Sequence, residues 1–217
     1  MNKEFDKQFE ISQRKYISDL DFFTWTRHFY LIRDLIKNVS GDIFEVGTGD
    51  GVVRRSVKPF VKTYTVLDLN SELNPDIHGD LRVFRKELIE KFDAALATEV
   101  LEHIPFADFN LCVNNLHSYL KPGGKLFLTL PHRKGHMLIV TPKQRMIRWR
   151  FPIGMTSLSE AYNRFVRRKI WIDPNHHWEI GDGIIGEKNI EIILKEKYLI
   201  ESFIKLPYCD YWILQKK

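Results

Sequence analysis

Apolar and polar residues follow two different patterns along this chain, and these patterns predict helices and strands that alternate. Between Phe22 and Leu35, aromatic and aliphatic residues recur every three to four positions, which predicts an amphipathic helix ending near Asn38. Short apolar runs predict buried strands at 43–46, 63–69, 92–98 and 125–130. Further helices are expected at about 51–60, 106–120 and 190–197, and a closing hairpin at 198–205 and 211–215.

Strands that alternate with helices in this way predict an α/β fold. The expected arrangement is a mostly parallel sheet with helices on both faces and an antiparallel strand at the C-terminal end. A turn is expected at Pro122-Gly123-Gly124, between a helix and the strand that follows it. The length of 217 residues suits one domain, 1–217, in which 1–40 form an N-terminal helical segment and 133–180 an insertion on the substrate side.

The composition narrows the classes to which the chain can belong. Hydrophobic residues make up 44% and charged residues 28%, as in ordinary globular proteins. The sequence shows neither an apolar run of membrane-spanning length nor the pattern of a signal peptide, so a cytoplasmic location is expected. The two cysteines, Cys112 and Cys209, suit neither a disulfide framework nor a metal site, and no metal is predicted.

The segment FEVGTGDG, residues 44–51, carries the first chemical signal. Gly47, Gly49 and Gly51 lie between a predicted strand and a predicted helix, where the backbone can approach a ligand closely. In an open α/β sheet this turn lies at the carboxyl edge, where ligands bind. Glu45, two residues before the first glycine, would be unwelcome beside phosphates but suits an ammonium group.

Asp68, at the end of the second strand, adds a second signal. It follows Gly47 by 21 residues and can accept hydrogen bonds from two ribose hydroxyl groups. The third glycine of the dinucleotide fingerprint is replaced by Val52, which weakens a Rossmann dehydrogenase, and the sequence contains no P-loop motif. The combination favours an adenosine ligand without a pyrophosphate.

Five sequence motifs follow one another along the chain in an order that resembles a known family. They are FEVGTGDG, VLDLN, HGDL, FDAALATEVLEHI and LKPGGKLFLTLPH, which together span about residues 41–132. This succession resembles class I S-adenosylmethionine-dependent methyltransferases, and within them the small-molecule group that includes quinone-biosynthesis methyltransferases. The resemblance implies a doubly wound, Rossmann-like, seven-stranded sheet and S-adenosyl-L-methionine as the cofactor.

The resemblance also implies roles for individual residues. The turn from Glu45 to Gly51, with Thr48, would hold the methionine part of the cofactor, and Asp68 with Leu69 would hold the ribose. Asp80 and Leu81 would face the adenine, while Thr98 and Glu99 would lie beside the sulfonium. Where family members often carry Leu-Pro-Phe, this chain has RVFRKELIE, which weakens the adenine side; Asp80 can also be an N-cap of a helix beginning at Leu81.

Histidines supply candidates for a general base. His132 follows the fifth strand, and His177 lies in the cluster Asn175-His176-His177-Trp178-Glu179. Adjacent histidines point in different directions on a strand, which argues against zinc binding by both, but either one can form a couple with Glu179. The cluster can equally be a structural hinge, and His103 is better explained as a structural histidine.

Positive charge is concentrated in one region. Residues 131–171 contain ten basic residues and one acid, a net +9, so the remaining chain carries −4 of the total of +5. We expect either a solvated surface or a lid that receives an anionic acceptor, one that is phosphorylated or carried on a lipid at a membrane surface.

The sequence therefore predicts a methyltransferase that acts on a small, anionic or lipid- or phosphate-linked acceptor by in-line methyl transfer. An RNA methyltransferase is a rival because of the basic segment, although the motif of amino-group DNA methyltransferases is absent after the fourth strand. A second rival is a non-catalytic partner protein that binds S-adenosylmethionine.

Overall fold

A seven-stranded sheet with the order β3-β2-β1-β4-β5-β9-β8 organises the chain. The computed structural model describes residues 11–142, 146–151, 162–163, 165–167 and 172–217. The strands are β1 (Asp42–Val46), β2 (Thr63–Asp68), β3 (Ile77–His78), β4 (Phe92–Thr98), β5 (Leu120–Pro131), β8 (Tyr198–Lys205) and β9 (Cys209–Lys216). Strands β1 to β5 pair in parallel, and β9 pairs antiparallel with both β5 and β8. The predicted fold class is confirmed.

Helices cover both faces of the sheet. They are α1 (Gln13–Ser18), α2 (Phe22–Asn38), α3 (Val52–Val57), α4 (Phe109–Tyr119) and α5 (Glu187–Lys197). Helix α2 begins where the Asp21 side chain accepts a hydrogen bond from the Thr24 backbone N–H at 2.7 Å, because a capping carboxylate satisfies one of the unpaired N–H groups of the first turn.

The strands alternate their side chains between two cores. Ile43 packs on one face of the sheet with Leu31 and Leu35 of helix α2. Phe44 points to the opposite face, where its ring meets that of Tyr119 edge-on at 5.6 Å. This alternation fixes the register of β1, and therefore the position of the turn that follows it.

The part of the insertion that the structure describes begins with a hairpin. Strands β6 (Gly135–Val140) and β7 (Met146–Phe151) pair antiparallel and form a separate two-stranded sheet. Only three residues separate β6 from the end of β5, so the hairpin starts at the carboxyl edge of the main sheet. Lys143, Arg145, Arg164, Arg168 and Lys169 of the basic segment lie outside the described residues.

Two predicted boundaries need correction. Pro122-Gly123-Gly124 does not separate a helix from a strand, because β5 already begins at Leu120 and pairs there with Phe92. Pairing resumes at Ala94 with Lys125, so the glycines form a bulge within the strand. The helix predicted over 51–60 ends at Val57 and continues as a 3₁₀ turn, Lys58–Phe60, that contains Pro59.

In the portion of the chain that is described, no helix has the length and apolar character needed to cross a bilayer.

Candidate active site

A cavity of about 430 Å³ opens at the carboxyl edge of β1, β2 and β4. Ten of the predicted cofactor residues line it, and they come from four separate stretches of the chain: Glu45, Gly47, Thr48, Gly49, Asp68, Leu69, Asp80, Leu81, Thr98 and Glu99. Gly51, His132 and His177 do not line this cavity. The fold therefore brings together most of the residues that the motifs indicated.

The glycine turn needs a backbone conformation that other residues adopt rarely. Gly47, Gly49 and Gly51 have φ angles of +73°, +48° and +66°. A Cβ atom at Gly47 would lie 2.5 Å from Cγ2 of Val100, whereas one at Gly49 would meet only Tyr16 Cδ1, at 4.0 Å. Gly51 serves a different purpose, because it precedes the first residue of α3 as the N-cap.

Asp68 joins the glycine turn to the loop after β2. Its Oδ2 accepts a hydrogen bond from the Thr48 backbone N–H at 2.9 Å, and its Oδ1 accepts one from the Asn70 backbone N–H at 2.8 Å. Burial raises the pKa of Asp68, and these backbone hydrogen bonds oppose the rise. Since a carboxylate has about four lone-pair positions, two remain for a ligand's hydroxyl groups.

Glu45 lies at the base of the cavity with only 3% of its surface exposed. Among the described residues, its Oε2 has no hydrogen-bond partner. Burial raises the pKa of Glu45 to about 8, an effect that the nearby hydroxyl groups of Tyr64 and Thr48 only partly oppose. A cationic ligand group would satisfy this carboxylate.

Asp80 lines the cavity but is already paired with Arg82. The shortest contact joins Asp80 Oδ2 to Arg82 Nη2 at 2.6 Å, and Oδ1 also accepts from the Arg82 backbone N–H at 2.8 Å. This ion pair lowers the pKa of Asp80 against the effect of burial. The alternative role as a helix cap is wrong, because a turn at residues 81–83 follows Asp80 and no helix begins at Leu81.

The other end of the cavity is acidic. Glu99 follows β4 with a φ of +56°, and its Oε1 accepts a hydrogen bond from the Thr129 hydroxyl at 2.9 Å. The Arg27 guanidinium of α2 lies 3.8 Å from Glu99 Oε2. Burial raises the pKa of Glu99, and the charge of Arg27 opposes that effect.

Glu102, His103 and His176 form a cluster beside Glu99. Glu102 Oε1 lies 3.9 Å from His103 Nε2 and 4.0 Å from His176 Nε2, and all three residues line the cavity. The His103 Nδ1 atom is 2.9 Å from the Asn175 carbonyl oxygen, and the His176 Nδ1 atom is 2.9 Å from Glu179 Oε1. Burial lowers the pKa of His103 to about 4 and raises that of Glu102.

The family of the chain follows from a comparison with known domains. A family model described as "Methyltransferase domain" matches residues 24–176, more than half of the chain and almost the whole stretch that builds the cavity. The chain belongs to this methyltransferase family. The expected class, a class I S-adenosylmethionine-dependent methyltransferase, is confirmed.

Curated relatives cover part of this methyltransferase. A ubiquinone biosynthesis O-methyltransferase of Xanthomonas axonopodis pv. citri (strain 306) is 32% identical over 105 residues, which are 42% of this chain and 43% of that protein. The chain thus matches less than half the length of this relative.

Solved structures share the fold over most of the chain. The N-methyltransferase NodS from Bradyrhizobium japonicum WM9, in complex with S-adenosylhomocysteine, has a TM-score of 0.65 at 16% identity, covering 99% of this chain and 97% of that one. The 1,6-didemethyltoxoflavin-N1-methyltransferase of Burkholderia thailandensis, with bound 1,6-didemethyltoxoflavin and S-adenosylhomocysteine, has a TM-score of 0.54 at 12% identity, covering 94% of this chain and 87% of that one. The predicted cofactor, S-adenosylmethionine, is confirmed.

The methyltransferase holds His132 away from the cavity. The side chain is buried; its Nε2 lies 3.0 Å from the Leu206 carbonyl oxygen, and its Nδ1 accepts from the Lys134 backbone N–H at 3.1 Å. Both ring nitrogens are thus engaged with the backbone. The backbone N–H of His177 donates to the Glu102 carbonyl oxygen at 2.8 Å. The predicted couple with Glu179 is formed by His176.

Several cavity residues were not among the predicted site residues. Tyr16 comes from α1, Arg27 from α2 and Tyr208 from the loop between β8 and β9. These three residues belong to no sequence motif, because only the folding of the chain brings them to the carboxyl edge of the sheet. Glu102 and His103 had a detectable signal, since only two residues separate them from Thr98-Glu99 at the end of a predicted strand.

Proposed function

We propose that this methyltransferase transfers the methyl group of S-adenosylmethionine to a small acceptor that enters the cavity beside Glu99 and the Glu102–His103–His176 cluster. One observation carries the proposal: a single cavity connects the glycine turn and Asp68 with this polar cluster. When bound, S-adenosylmethionine supplies a methyl group on a positively charged sulfur, which is already a good leaving group.

The residues of the cavity suit this cofactor at two points. The two unused lone-pair positions of Asp68 suit ribose hydroxyl groups. The buried Oε2 of Glu45 suits the ammonium group of the methionine part, because burying a carboxylate without a partner is costly. Asp80, paired with Arg82, keeps its proposed place beside the adenine.

Methyl transfer of this kind is an in-line displacement, and positioning is the main contribution of the protein. Holding the reactants in line can supply about 7–11 kcal/mol of the barrier. Glu99 and Thr98 border the place where the acceptor would meet the methyl group. The hydrogen bond from Thr129 and the nearby charge of Arg27 hold the Glu99 side chain in position.

The charges suggest how an anionic acceptor would bind. The cavity is lined by the carboxyl groups of Glu45, Asp68, Glu99 and Glu102, and each of them that is ionised would repel a negative group of the acceptor. The insertion, with its net charge of +9 over 131–171, begins at the same edge of the sheet. We propose that the reacting end of the acceptor enters the cavity while its phosphate or other anionic part contacts the insertion.

A matched pair of glycine variants tests the cofactor site. Gly49→Ala places a methyl group at a φ of +48° on the cavity wall, and Gly123→Ala places one at +72° in the β5 bulge, away from the cavity. Both variants should lose about 1–2 kcal/mol of stability through backbone strain. Only Gly49→Ala should weaken binding of S-adenosylhomocysteine, by about tenfold or more, in titration calorimetry.

Transfer itself is tested with methyl-labelled S-adenosylmethionine and a cell extract. The native protein should label one small-molecule product, and Gly49→Ala should label less of it than Gly123→Ala. Binding of S-adenosylhomocysteine without any labelled product would favour the non-catalytic partner protein. Equal affinity in both glycine variants would contradict the proposed cofactor site.

A further inference from the structure

We propose that Glu102, His103 and His176 bind one divalent metal ion, zinc or an ion with similar ligand preference, at the acceptor end of the cavity. One carboxylate oxygen and two imidazole nitrogens, drawn from these three side chains, lie within 4.8 Å of one another. A carboxylate with two histidines is a donor set that zinc uses in catalytic sites.

The separations suit a shared ion better than hydrogen bonds. Glu102 Oε1 is 3.9 Å and 4.0 Å from the two Nε2 atoms, beyond the range of a hydrogen bond. Two atoms that each lie about 2.0–2.2 Å from a tetrahedral ion are roughly 3.4 Å apart. Shortening each of these two distances by about half an ångström would therefore bring Glu102 and the two nitrogens to the spacing of ligands on one ion.

Glu102 supplies an independent reason to expect a ligand. Its side chain is fully buried, and within the described part of the chain neither carboxylate oxygen has a hydrogen-bond partner. A buried carboxylate is stable when it is paired or coordinates a metal. The two histidine nitrogens that face it can contribute lone pairs to the same ion.

The hydrogen bonds of the histidines fix which nitrogen faces Glu102. His103 Nδ1 lies 2.9 Å from a carbonyl oxygen, which can only accept, so Nδ1 carries the proton. His176 Nδ1 lies 2.9 Å from the Glu179 carboxylate, with the same consequence. In the neutral form of each ring, a proton on Nδ1 leaves the Nε2 lone pair facing Glu102. Metal-binding histidines typically donate their other N–H to a carbonyl or carboxylate in this way.

The position of the cluster suggests what the ion does, and this step depends on the proposed function. Three protein ligands leave a coordination position open to the cavity. A hydroxyl group of the acceptor bound there would have a lowered pKa and lose its proton to water. Its oxygen would then form the bond to the methyl carbon, and the electrons of the broken C–S bond would stay on sulfur. The acceptor class is accordingly a small molecule with a hydroxyl group.

Titration of chelator-treated protein with Zn²⁺ or Co²⁺ tests the site. Calorimetry should show one equivalent bound, and Co²⁺ should develop visible absorption from nitrogen and oxygen ligands. Glu102→Gln, His103→Ala and His176→Ala should each lower metal affinity more than tenfold. Glu179→Gln, which changes only the partner of His176, should lower it by about 10–100-fold. His117→Ala, a histidine of α4 outside the cavity, is the matched control and should bind like the native protein.

Binding of S-adenosylhomocysteine is measured on the same samples. Its proposed contacts involve Asp68 and the glycine turn, so retained binding shows that a variant is folded. The metal proposal is overturned if the native protein binds neither ion, or if His103→Ala and His176→Ala bind metal as tightly as His117→Ala. Metal binding without binding of S-adenosylhomocysteine would leave the metal site standing and contradict the proposed function.

Discussion

Three buried carboxylates set this cavity apart from the rest of the core. Glu45, Glu99 and Glu102 line the cavity, and each has at least one buried oxygen without a hydrogen-bond partner among the residues described. A core selected only for stability would not retain such groups, because each costs desolvation energy. Several buried carboxylates that lack hydrogen-bond partners in one cavity therefore indicate a functional site.

The raised pKa of Glu45 predicts how stability depends on pH. An unfolded chain loses this proton near the ordinary value of 4.5, whereas the folded protein keeps it to about 8. Between these values the folded state binds more protons, so stability falls as pH rises, by up to about 1.4 kcal/mol per pH unit. Glu45→Gln removes this contribution. In urea unfolding without cofactor, the variant should gain stability relative to the native protein from pH 4.5 to 8, then level off.

Glu196→Gln, an exposed carboxylate of α5, provides the control, and its difference from the native protein should not vary over this range. A difference between Glu45→Gln and the native protein that stays constant with pH would show that Glu45 ionises normally.

Much of the site could be predicted from the sequence because its residues follow one another along a strand and its turn. Glu45, Gly47 and Asp68 have fixed spacings that a ligand requires, and the structure places all three at the cavity. His176 lies 73 residues after His103, and no local pattern indicates that their rings lie 4.9 Å apart. The same reason explains why the proposed metal site was not predicted from the sequence.

At the scale of elements, the presence of the strands was predicted better than the residues at which helices and strands begin and end. The runs 43–46 and 92–98 match β1 and β4 closely, because a strand buried on both faces is almost wholly apolar. Pro122-Gly123-Gly124 misled the prediction because a bulge inside a strand and a turn before one use the same residues. Helix α1 carries no strong apolar period, and it was predicted only as part of the N-terminal helical segment 1–40.

Trp178 connects the insertion to the core, and this connection can be tested. The side chain is 1% exposed, its Nε1–H donates to the Ile104 carbonyl oxygen at 2.9 Å, and its ring meets those of Phe106 and Phe109 edge-on. Trp178→Ala should lower the free energy of unfolding by about 3–5 kcal/mol, because it leaves a large void and an unpaired carbonyl. Urea unfolding measures this change.

The matched control is Trp149→Ala in the β6–β7 hairpin, where the side chain is 62% exposed. It should change stability by less than about 0.5 kcal/mol. Similar losses in both variants would show that Trp178 does not anchor the segment that carries His176.

For the whole molecule, the main asymmetry is in the distribution of charge. The acids converge on the cavity, while the segment 131–171 carries +9 and the remaining chain −4. Under the proposed function, charges separated in this way would attract the anionic part of the acceptor to one side and keep it out of the reacting end. The β6–β7 hairpin contains two of the positive residues, Arg148 and Arg150. In the sequence, this hairpin is the part of the insertion that lies closest to the end of β5.

Reversing those two charges should therefore weaken acceptor binding without affecting the cofactor. In Arg148→Glu/Arg150→Glu, the KM for the acceptor identified by the labelled-methyl screen should rise about tenfold, since an ion pair between each arginine and the acceptor would contribute up to about 1 kcal/mol. The value of kcat and the affinity for S-adenosylhomocysteine should stay unchanged. Lys91→Glu/Lys188→Glu changes the net charge equally at exposed positions outside the insertion and should leave KM unchanged.

The KM of the hairpin variant should also depend less on salt than that of the native protein, because screening weakens only the attraction that remains. An equal KM in both double variants would show that the basic segment is a solvated surface and not an acceptor site.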